Sequence, residues 1–228
     1  MSKKALHPHN NDLVKNTMRV NIRNFICTQI QKGIYKPGAR IIETKLAREL
    51  NVSQAPVREA ILELSVMGLL EDRPYYGTYV RNLTPDDIED IYYTRAFIEQ
   101  YAAQRAAKNA TAEQLLLFEP IISEMELTVQ KNDKAAFVDP DMRFHELIMD
   151  CTCSKALKHV WQDLHFAVWT YLTSTVTKKS LDELLATHKE IYGYILRHED
   201  QSAGAAMFLH ISNFKNELIE NYIIPNSM

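Results

Sequence analysis

Glycine, cysteine and long apolar segments are all scarce in this sequence of 228 residues. Six glycines are too few for an all-β protein rich in tight turns, so the composition favours helices. No apolar run is long enough to cross a membrane, and no apolar stretch follows the charged start, so we expect neither a membrane protein nor a secretory signal. The three cysteines form neither a CxxC pair nor an even set, which fits a reducing cytoplasm better than a disulfide framework.

Charge is unevenly distributed along the chain, although the net formal charge is only −3. Residues 1–83 contain 13 Lys and Arg against 7 Asp and Glu, which gives +6, and residues 84–228 contain 13 against 22, which gives −9. A basic first part beside an acidic second part indicates that the first part meets a polyanion such as DNA. Chance unevenness is the simpler alternative.

The chain length suits two small domains, and the first begins with a helical pattern. We assign residues 1–12 to a disordered tail because they are polar and lack periodicity. From Leu13 to Ile30, apolar residues recur every three or four positions, which predicts an amphipathic helix. Gly33 ends this helix, and Arg40-Ile41-Ile42 then predicts a short strand.

Two short helices and a hairpin complete this first domain, which spans residues 13–82. Thr44 and Ser53 are the predicted caps of the two helices, and Asn51 between them suits left-handed geometry. Leu69-Leu70 and Thr78-Tyr79-Val80 predict the strands of the hairpin. This order is typical of a winged helix-turn-helix, whose second short helix enters the major groove with its N-terminal turn. That turn consists of Ser53, Gln54, Ala55 and Pro56.

Helix start signals recur through residues 83–228, and no strand pattern accompanies them. Thr84-Pro85 opens a long helix, and Thr111 with Gln114 forms a capping box for the next. Further start signals are Asp133, Asp139-Pro140, Ser154, Ser180 and Asp200. They predict an all-α bundle of six or seven helices, so the whole chain should be mostly α with a domain boundary near residues 82–84.

One Asp and three His in the second domain could form a metal site. Asp141 and His145 are four residues apart and therefore share one face of a helix, while His188 and His210 lie among apolar residues further along. Three imidazoles and a carboxylate that converge inside a bundle suit a borderline divalent ion such as Zn, Ni or Mn. Solvated side chains are the alternative, because an Asp-x-x-x-His pair often arises by chance.

The order of residues in the first domain resembles the GntR family of bacterial transcription regulators. The resemblance rests on Pro37-Gly38, Leu46-Ala47, Val52-Ser53-x-x-Pro56-Val57-Arg58-Glu59-Ala60-Ile61-x-x-Leu64, Gly68-Leu69-Leu70 and Gly77-x-x-Val80. The second domain is similar to the all-helical effector domain of the FadR subfamily, of the type called FCD. Its marks are Arg95-x-x-x-Glu99, Asp141-x-x-Phe144-His145, His188 and His210. Together the two resemblances cover roughly residues 14–222.

The resemblance implies which side chains meet DNA. Arg58 and Gln54 would reach base edges, and four further residues would lie near the backbone or minor groove: Thr44, Lys45, Ser53 and Gly77. Many relatives carry Arg where this chain has Gln54, and Gln suits adenine whereas Arg suits guanine, so the operator should differ from the family's usual one. A surface ion pair of Arg58 with Glu59 or Glu63 is the alternative.

The resemblance also implies that the four Asp and His residues are metal ligands, because they fall where the FCD motif places them: Asp141, His145, His188 and His210. On an ion that prefers five or six ligands, they leave room for water or for the carboxylate of a small organic acid. Arg95 lies on the apolar face of its helix, where a guanidinium needs a partner. The resemblance implies an effector carboxylate, and an intrahelical pair with Glu99 is the alternative.

These expectations describe a ligand-responsive transcription regulator and not an enzyme. It would repress transcription by binding a palindromic operator as a homodimer, with the acidic helical domain supplying most of the interface. Two alternatives stay open. The metal alone could be the signal, with no organic effector, or the bundle could be a metalloenzyme that activates water. The sequence has no obvious base or nucleophile beside the ligands, and an enzyme would not explain residues 34–81.

Overall fold

The computed structural model describes residues 10–164 and 177–220, and the chain divides into two compact units, Met1–Asn82 and Leu83–Met228. The elements of the first unit are α1 (Asn10–Gln31), β1 (Arg40–Ile41), α2 (Glu43–Glu49), α3 (Gln54–Val66), β2 (Leu70–Arg73) and β3 (Gly77–Val80). The strands form one antiparallel sheet in the order β1-β3-β2. The predicted winged helix-turn-helix is therefore confirmed.

The core of the first unit lies between α1 and α3. Ile26 and Ile30 of α1 are buried, and so are Val57 and Leu64 of α3. After α3, Gly68 takes a left-handed backbone conformation with φ +73°, which glycine adopts without steric cost and which turns the chain into the hairpin. This packing fixes one side of α3 and leaves Ser53, Gln54 and Ala55 at its start exposed.

The helix starts of the first unit differ in detail from the sequence prediction. The first helix begins at Asn10, inside the predicted tail, and residues 1–9 lie outside the described residues. Thr44 does not cap α2, because the amide of Leu46 donates to the carbonyl of Ile42, which makes Ile42 the cap. Ser53 is the capping residue of α3, as predicted, but its side chain makes no capping hydrogen bond.

The described part of the second unit contains helices and no strand. They are α4 (Pro85–Asn109), α5 (Ala112–Leu116), α6 (Phe118–Gln130), α7 (Lys134–Cys151), α8 (Lys155–Asp163), α9 (Leu181–Leu196), α10 (Asp200–Ser212) and α11 (Phe214–Leu218). Capping boxes at Thr84, Thr111 and Ser180 confirm three predicted helix starts. In residues 10–164 and 177–220, no helix combines the length and apolar character of a membrane-spanning segment.

The predicted helix start at Asp139-Pro140 is wrong. The cap is Asp133, whose side chain accepts a hydrogen bond from the amide of Ala136, so α7 has already begun and Pro140 lies inside it. Conversely, α6 and α11 follow Leu117 and Asn213, whose backbones are themselves helical, so no capping signal marks these starts. The described part of this unit therefore has eight helices, two of them only five residues long.

Helix α4 is the central element of the second unit and contacts α7, α9 and α10. Small residues are buried on both α4 and α10, among them Ala103 and Ala107 of α4 and Ala203 of α10. At Gly204 of α10, an added Cβ would lie 2.5 Å from Cγ of Gln104 of α4, so the Gln104 side chain would have to move. The close approach brings polar residues of α4, α7, α9 and α10 together in the middle of the unit.

Gly204→Ala should therefore destabilise the second unit. Overpacking typically costs ~1–3 kcal/mol, and the better helix propensity of Ala offsets about 1 kcal/mol of that. Gly193→Ala is the matched control, because its Cβ would approach only the half-exposed side chain of Arg197, at 3.2 Å. Urea denaturation followed by circular dichroism should give a lower midpoint for Gly204→Ala than for Gly193→Ala. Equal or reversed midpoints would contradict the close approach of α4 and α10.

Candidate functional site

Three helices bring the four predicted metal ligands together inside the second unit. Asp141 and His145 project from α7, His188 from α9 and His210 from α10, and all four are buried. One donor atom from each lies within 4.8 Å of every other, and the ring centroids of His188 and His210 are 4.5 Å apart. The alternative of four solvated side chains does not apply to this arrangement.

Each of the three imidazoles is held at Nδ1 by a group outside the cluster. Nδ1 of His188 donates to the carbonyl of Leu184 at 2.7 Å, and Nδ1 of His145 donates to the carboxylate of Glu99. Nδ1 of His210 lies 3.1 Å from the hydroxyl of Thr187, which donates its own hydrogen to Leu184 O and therefore accepts from the ring. In the neutral form of each ring, Nε2 is then the atom with a lone pair.

These Nε2 atoms are where a cation fits. Nε2 of His145 and Nε2 of His188 are buried without a hydrogen-bond partner. Nε2 of His188 does lie 2.8 Å from Oδ1 of Asp141, but that approach lacks hydrogen-bond geometry. A buried polar atom without a partner is costly, and a divalent ion would satisfy both atoms at once. Ligands at about 2.0–2.2 Å from an ion stay within about 4.4 Å of one another, so the observed spacing needs to close only slightly.

Protonation in the cluster also suits a metal. Burial raises the pKa of Asp141, but His188, His145 and Arg95 outweigh it, so the pKa is lowered overall and the carboxyl is ionised. Burial, with the nearby His188, His145 and Arg95, places the pKa of His210 well below its usual value, so that ring is neutral. Ionised carboxylates and neutral imidazoles are the forms that bind metal ions.

Glu99 of α4 belongs to this site, although the sequence indicated it only as a possible partner of Arg95. Besides accepting from His145, its carboxylate accepts from Nε of Arg95 at 2.7 Å and from Nε1 of Trp161 at 3.1 Å. Burial raises the pKa of Glu99, but Arg95 and His145 more than offset this, so the group is anionic although buried. The spacing Arg95-x-x-x-Glu99 signalled one contact, whereas the contacts to α7 and α8 depend on the tertiary fold.

Arg95 is buried and forms the intrahelical ion pair with Glu99 that the sequence offered as the alternative to an effector contact. It also lines a cavity of about 30 Å³ beside the predicted ligands, large enough for one or two water molecules. Its other lining residues include Asp141, His145, His210, Phe137 and Phe214. The pair with Glu99 therefore leaves Arg95 on the wall of a space that adjoins the predicted metal ligands.

In the first unit, seven of the eight residues predicted to meet DNA are exposed: Thr44, Lys45, Ser53, Gln54, Ala55, Arg58 and Gly77. Pro56 is buried, because the first turn of α3 packs it into the unit, so it does not share this surface. Gly77 opens β3 with φ +100°, and the guanidinium of Arg40 lies about 3.2 Å from the place that a Cβ would occupy. The exposed residues thus lie on α2, at the start of α3 and on the wing.

Arg58 forms an ion pair, but with a different partner from those considered in the sequence. Its Nε and Nη2 donate to the two carboxylate oxygens of Glu43 at 3.0 and 2.8 Å. Glu63, one of the expected partners, instead accepts from Arg19 and Arg23 of α1. The helical periodicity of α3 could not reveal Glu43, because it belongs to α2.

The chain matches two family models. The model described as "FCD domain" matches residues 90–213, which is 124 of the 228 residues. The model described as "Bacterial regulatory proteins, gntR family" matches residues 20–80. The first match covers the four predicted metal ligands, and the second covers α2, α3 and the wing.

Two curated relatives match most of the chain. The "Probable D-xylose utilization operon transcriptional repressor" of Paenarthrobacter nicotinovorans is 28% identical over 204 residues, which is 89% of this chain and 89% of the relative. The "HTH-type transcriptional repressor RspR" of Escherichia coli strain K12 is 24% identical over 189 residues, 80% of each chain.

A solved structure, that of E. coli McbR/YncC, has the same fold. Its TM-score is 0.64 at 20% sequence identity, and the match covers 91% of this chain and 98% of that one. This likeness concerns the fold alone. The two family matches show that the chain belongs to the gntR family of bacterial regulatory proteins and carries an FCD domain after its winged helix-turn-helix.

Proposed function

We propose that this transcription regulator is a ligand-responsive repressor that binds a palindromic operator as a homodimer. Residues 13–82 would be its DNA-binding domain and residues 83–228 its effector-binding and dimerisation domain. Two relatives that match 80% or more of the chain are named as transcriptional repressors, which supports repression and disfavours the metalloenzyme alternative. The observation that supports the effector site is the convergence of one donor atom from each of three imidazoles and one carboxylate in a buried cluster.

A divalent ion, Zn, Ni or Mn, would be held by the carboxylate of Asp141 and by Nε2 of three His residues: His145, His188 and His210. When bound, it supplies positive charge and one or two coordination positions for an anion. The protein holds the rings in place through Leu184 O, the Thr187 hydroxyl and Glu99, each bound to an Nδ1. Such outer partners fix the tautomer and orientation of a ligating imidazole.

The charge in this pocket favours one monoanionic group. A divalent ion with Asp141 and three neutral imidazoles has a net charge of +1. Arg95 would raise this to +2, but its ion pair with Glu99 cancels that addition. The pocket therefore has one unit of excess positive charge in a buried setting, which suits a single carboxylate on the ion.

A small organic acid is the effector that best fits these features, with Arg95 available on the cavity wall for a second polar group. The acid would enter the cavity that Arg95 and the predicted metal ligands line. An effector can shift the equilibrium between two conformations of the regulator only as far as it binds one of them more tightly than the other. A difference of ~1.4 kcal/mol in its binding free energy would change operator affinity tenfold. If metal alone changes operator affinity and acids add nothing, the metal-responsive alternative holds.

The homodimer would form through an apolar surface on α4 and α10. Tyr93 and Phe97 of α4 contact Phe208 of α10, with ring centroids 6.2 and 5.2 Å from it, yet Phe97 keeps 61% of its surface exposed. A single winged helix reads one half-site, so a palindrome requires a second copy of the chain. A second copy is therefore the occupant that we assign to this surface.

Substitutions in the metal site should have graded effects. His188→Ala removes a ligand, so the purified protein should lose its metal. Glu99→Gln removes the charged acceptor for His145 Nδ1 and should weaken metal affinity by about 10- to 100-fold. Trp161→Phe is the control, because it removes only the donor to the other carboxylate oxygen and leaves the contact with His145. Competition with a chromogenic chelator measures each affinity.

The same chelator titration can contradict the metal proposal. Wild-type protein that takes up well under one ion per chain would do so. Equal metal affinity in wild type and His188→Ala would also do so, since the ion would then bind elsewhere. Far-UV circular dichroism of each variant without metal establishes that any loss is not caused by unfolding.

Gln54→Arg should change the operator at one position of each half-site from a preference for adenine to a preference for guanine. Gln can pair with adenine N6 and N7, whereas Arg pairs with guanine O6 and N7. Selection from a library of randomised duplexes, followed by sequencing, gives the preferred operator of each protein. An identical consensus for wild type and Gln54→Arg would mean that Gln54 does not read a base.

Phe97→Glu should convert the dimer into a monomer, because it places a charge in the apolar surface of α4 and α10. Leu127→Glu is the control, since Leu127 of α6 is similarly exposed, at 51%, but lies outside that surface. Light scattering at micromolar concentration should give about twice the chain mass of 26.3 kDa for wild type and Leu127→Glu. A dimeric Phe97→Glu would show that another surface pairs the chains.

A further inference from the structure

Arg58 is exposed but firmly oriented. The Arg58 side chain has a relative exposure of 68%, which leaves it accessible to DNA, whereas the Glu43 side chain has a relative exposure of 25%. Both oxygens of Glu43 accept from the same guanidinium, at 2.8 and 3.0 Å. Two parallel hydrogen bonds fix the plane of the guanidinium as well as its position. A long exposed Arg side chain would otherwise occupy many rotamers.

The pair with Glu43 also determines which edge of Arg58 stays available. A guanidinium has five N–H donors, and Glu43 uses one on Nε and one on Nη2. The remaining donors are two on Nη1 and one on Nη2, and they form the edge that faces away from Glu43. Two adjacent donors of this kind match the O6 and N7 acceptors of guanine in the major groove.

We propose that Glu43 is the positioning residue for base reading by Arg58. It holds the guanidinium so that the edge formed by Nη1 and Nη2 meets guanine, and it partly neutralises the charge that would otherwise attract Arg58 to phosphates. This inference rests on the proposed role of Arg58 as a base-reading residue. Glu43 itself lies on α2 and acts only through its contact with Arg58.

Loss of Glu43 should have opposite effects on specific and non-specific binding. Without its partner, Arg58 must be immobilised when it binds guanine, so discrimination between bases falls by about three- to tenfold. At the same time a negative charge leaves the DNA-facing surface and the guanidinium is free to contact phosphates. Affinity for unrelated DNA should therefore rise.

Three variants test the proposal in the full-length protein. Glu43→Gln keeps the shape of the side chain but removes its charge and one acceptor. Glu59→Gln is the matched control, because Glu59 is an exposed neighbour of Arg58 on α3, and Arg58 pairs with Glu43 instead. Arg58→Ala identifies the operator position that Arg58 reads, as the position whose preference disappears in a randomised-duplex selection.

Fluorescence anisotropy then measures each protein on three duplexes: the selected operator, the operator with that guanine replaced, and an unrelated sequence. We expect Glu43→Gln to lose discrimination at that guanine by about three- to tenfold while binding the unrelated duplex more tightly. Glu59→Gln should keep the discrimination of wild type, even where its lower negative charge raises overall affinity.

Each other outcome overturns a definite part of the proposal. If Glu43→Gln binds all duplexes more tightly with unchanged discrimination, Glu43 acts only through its charge. If it binds all of them more weakly by the same factor, Glu43 only stabilises the domain. If Arg58→Ala keeps the wild-type consensus, Arg58 reads no base and the proposed function fails at that residue, independently of Glu43.

Discussion

The second unit depends on one constraint: three buried imidazoles each form a hydrogen bond at Nδ1 with a group outside their cluster. Leu184 O, the Thr187 hydroxyl and Glu99 each hold one ring, and one donor atom from each ring lies within 4.8 Å of a carboxylate oxygen of Asp141. Lone pairs that face one another in a dry interior are costly unless a proton or a cation lies between them. A divalent ion would satisfy all of them together, which would explain why so polar a cluster lies in the middle of an apolar bundle.

Helix α4 connects this cluster with the rest of the unit. Its carboxylate at Glu99 binds residues of α7 and α8, its Arg95 lines the cavity, and its small residues permit the close approach of α10. The same helix presents Phe97 on the surface that we assign to the second copy. Effector binding, dimerisation and metal binding would thus all act on one rigid element, which is a physical route by which a small acid can affect DNA binding.

The sequence predicted those features that depend on local physics. Capping boxes at Thr84, Thr111 and Ser180 and the left-handed residue Asn51 were predictable because each involves residues a few positions apart. The four proposed metal ligands could be named only through resemblance to a family motif, since spacing alone left solvated side chains open. The sequence did not predict the role of Glu43 or the contacts of Glu99 with His145 and Trp161, because these partners lie on other helices. The helix start predicted at Pro140 was wrong because Asp133 had already started the helix. Contacts between different helices produce no periodic pattern in the sequence, so they could not be predicted from it.

The nature of the buried cluster is open to direct spectroscopic measurement. X-ray absorption at the edge of the bound metal, on full-length protein reconstituted with Zn, should show about three imidazole nitrogens and at least one oxygen at about 2.0–2.2 Å. Addition of a small carboxylic acid that changes operator affinity should alter the oxygen part of this shell and leave the imidazoles in place. A shell with sulfur ligands, or one without imidazoles, would contradict a metal centre built from Asp141, His145, His188 and His210.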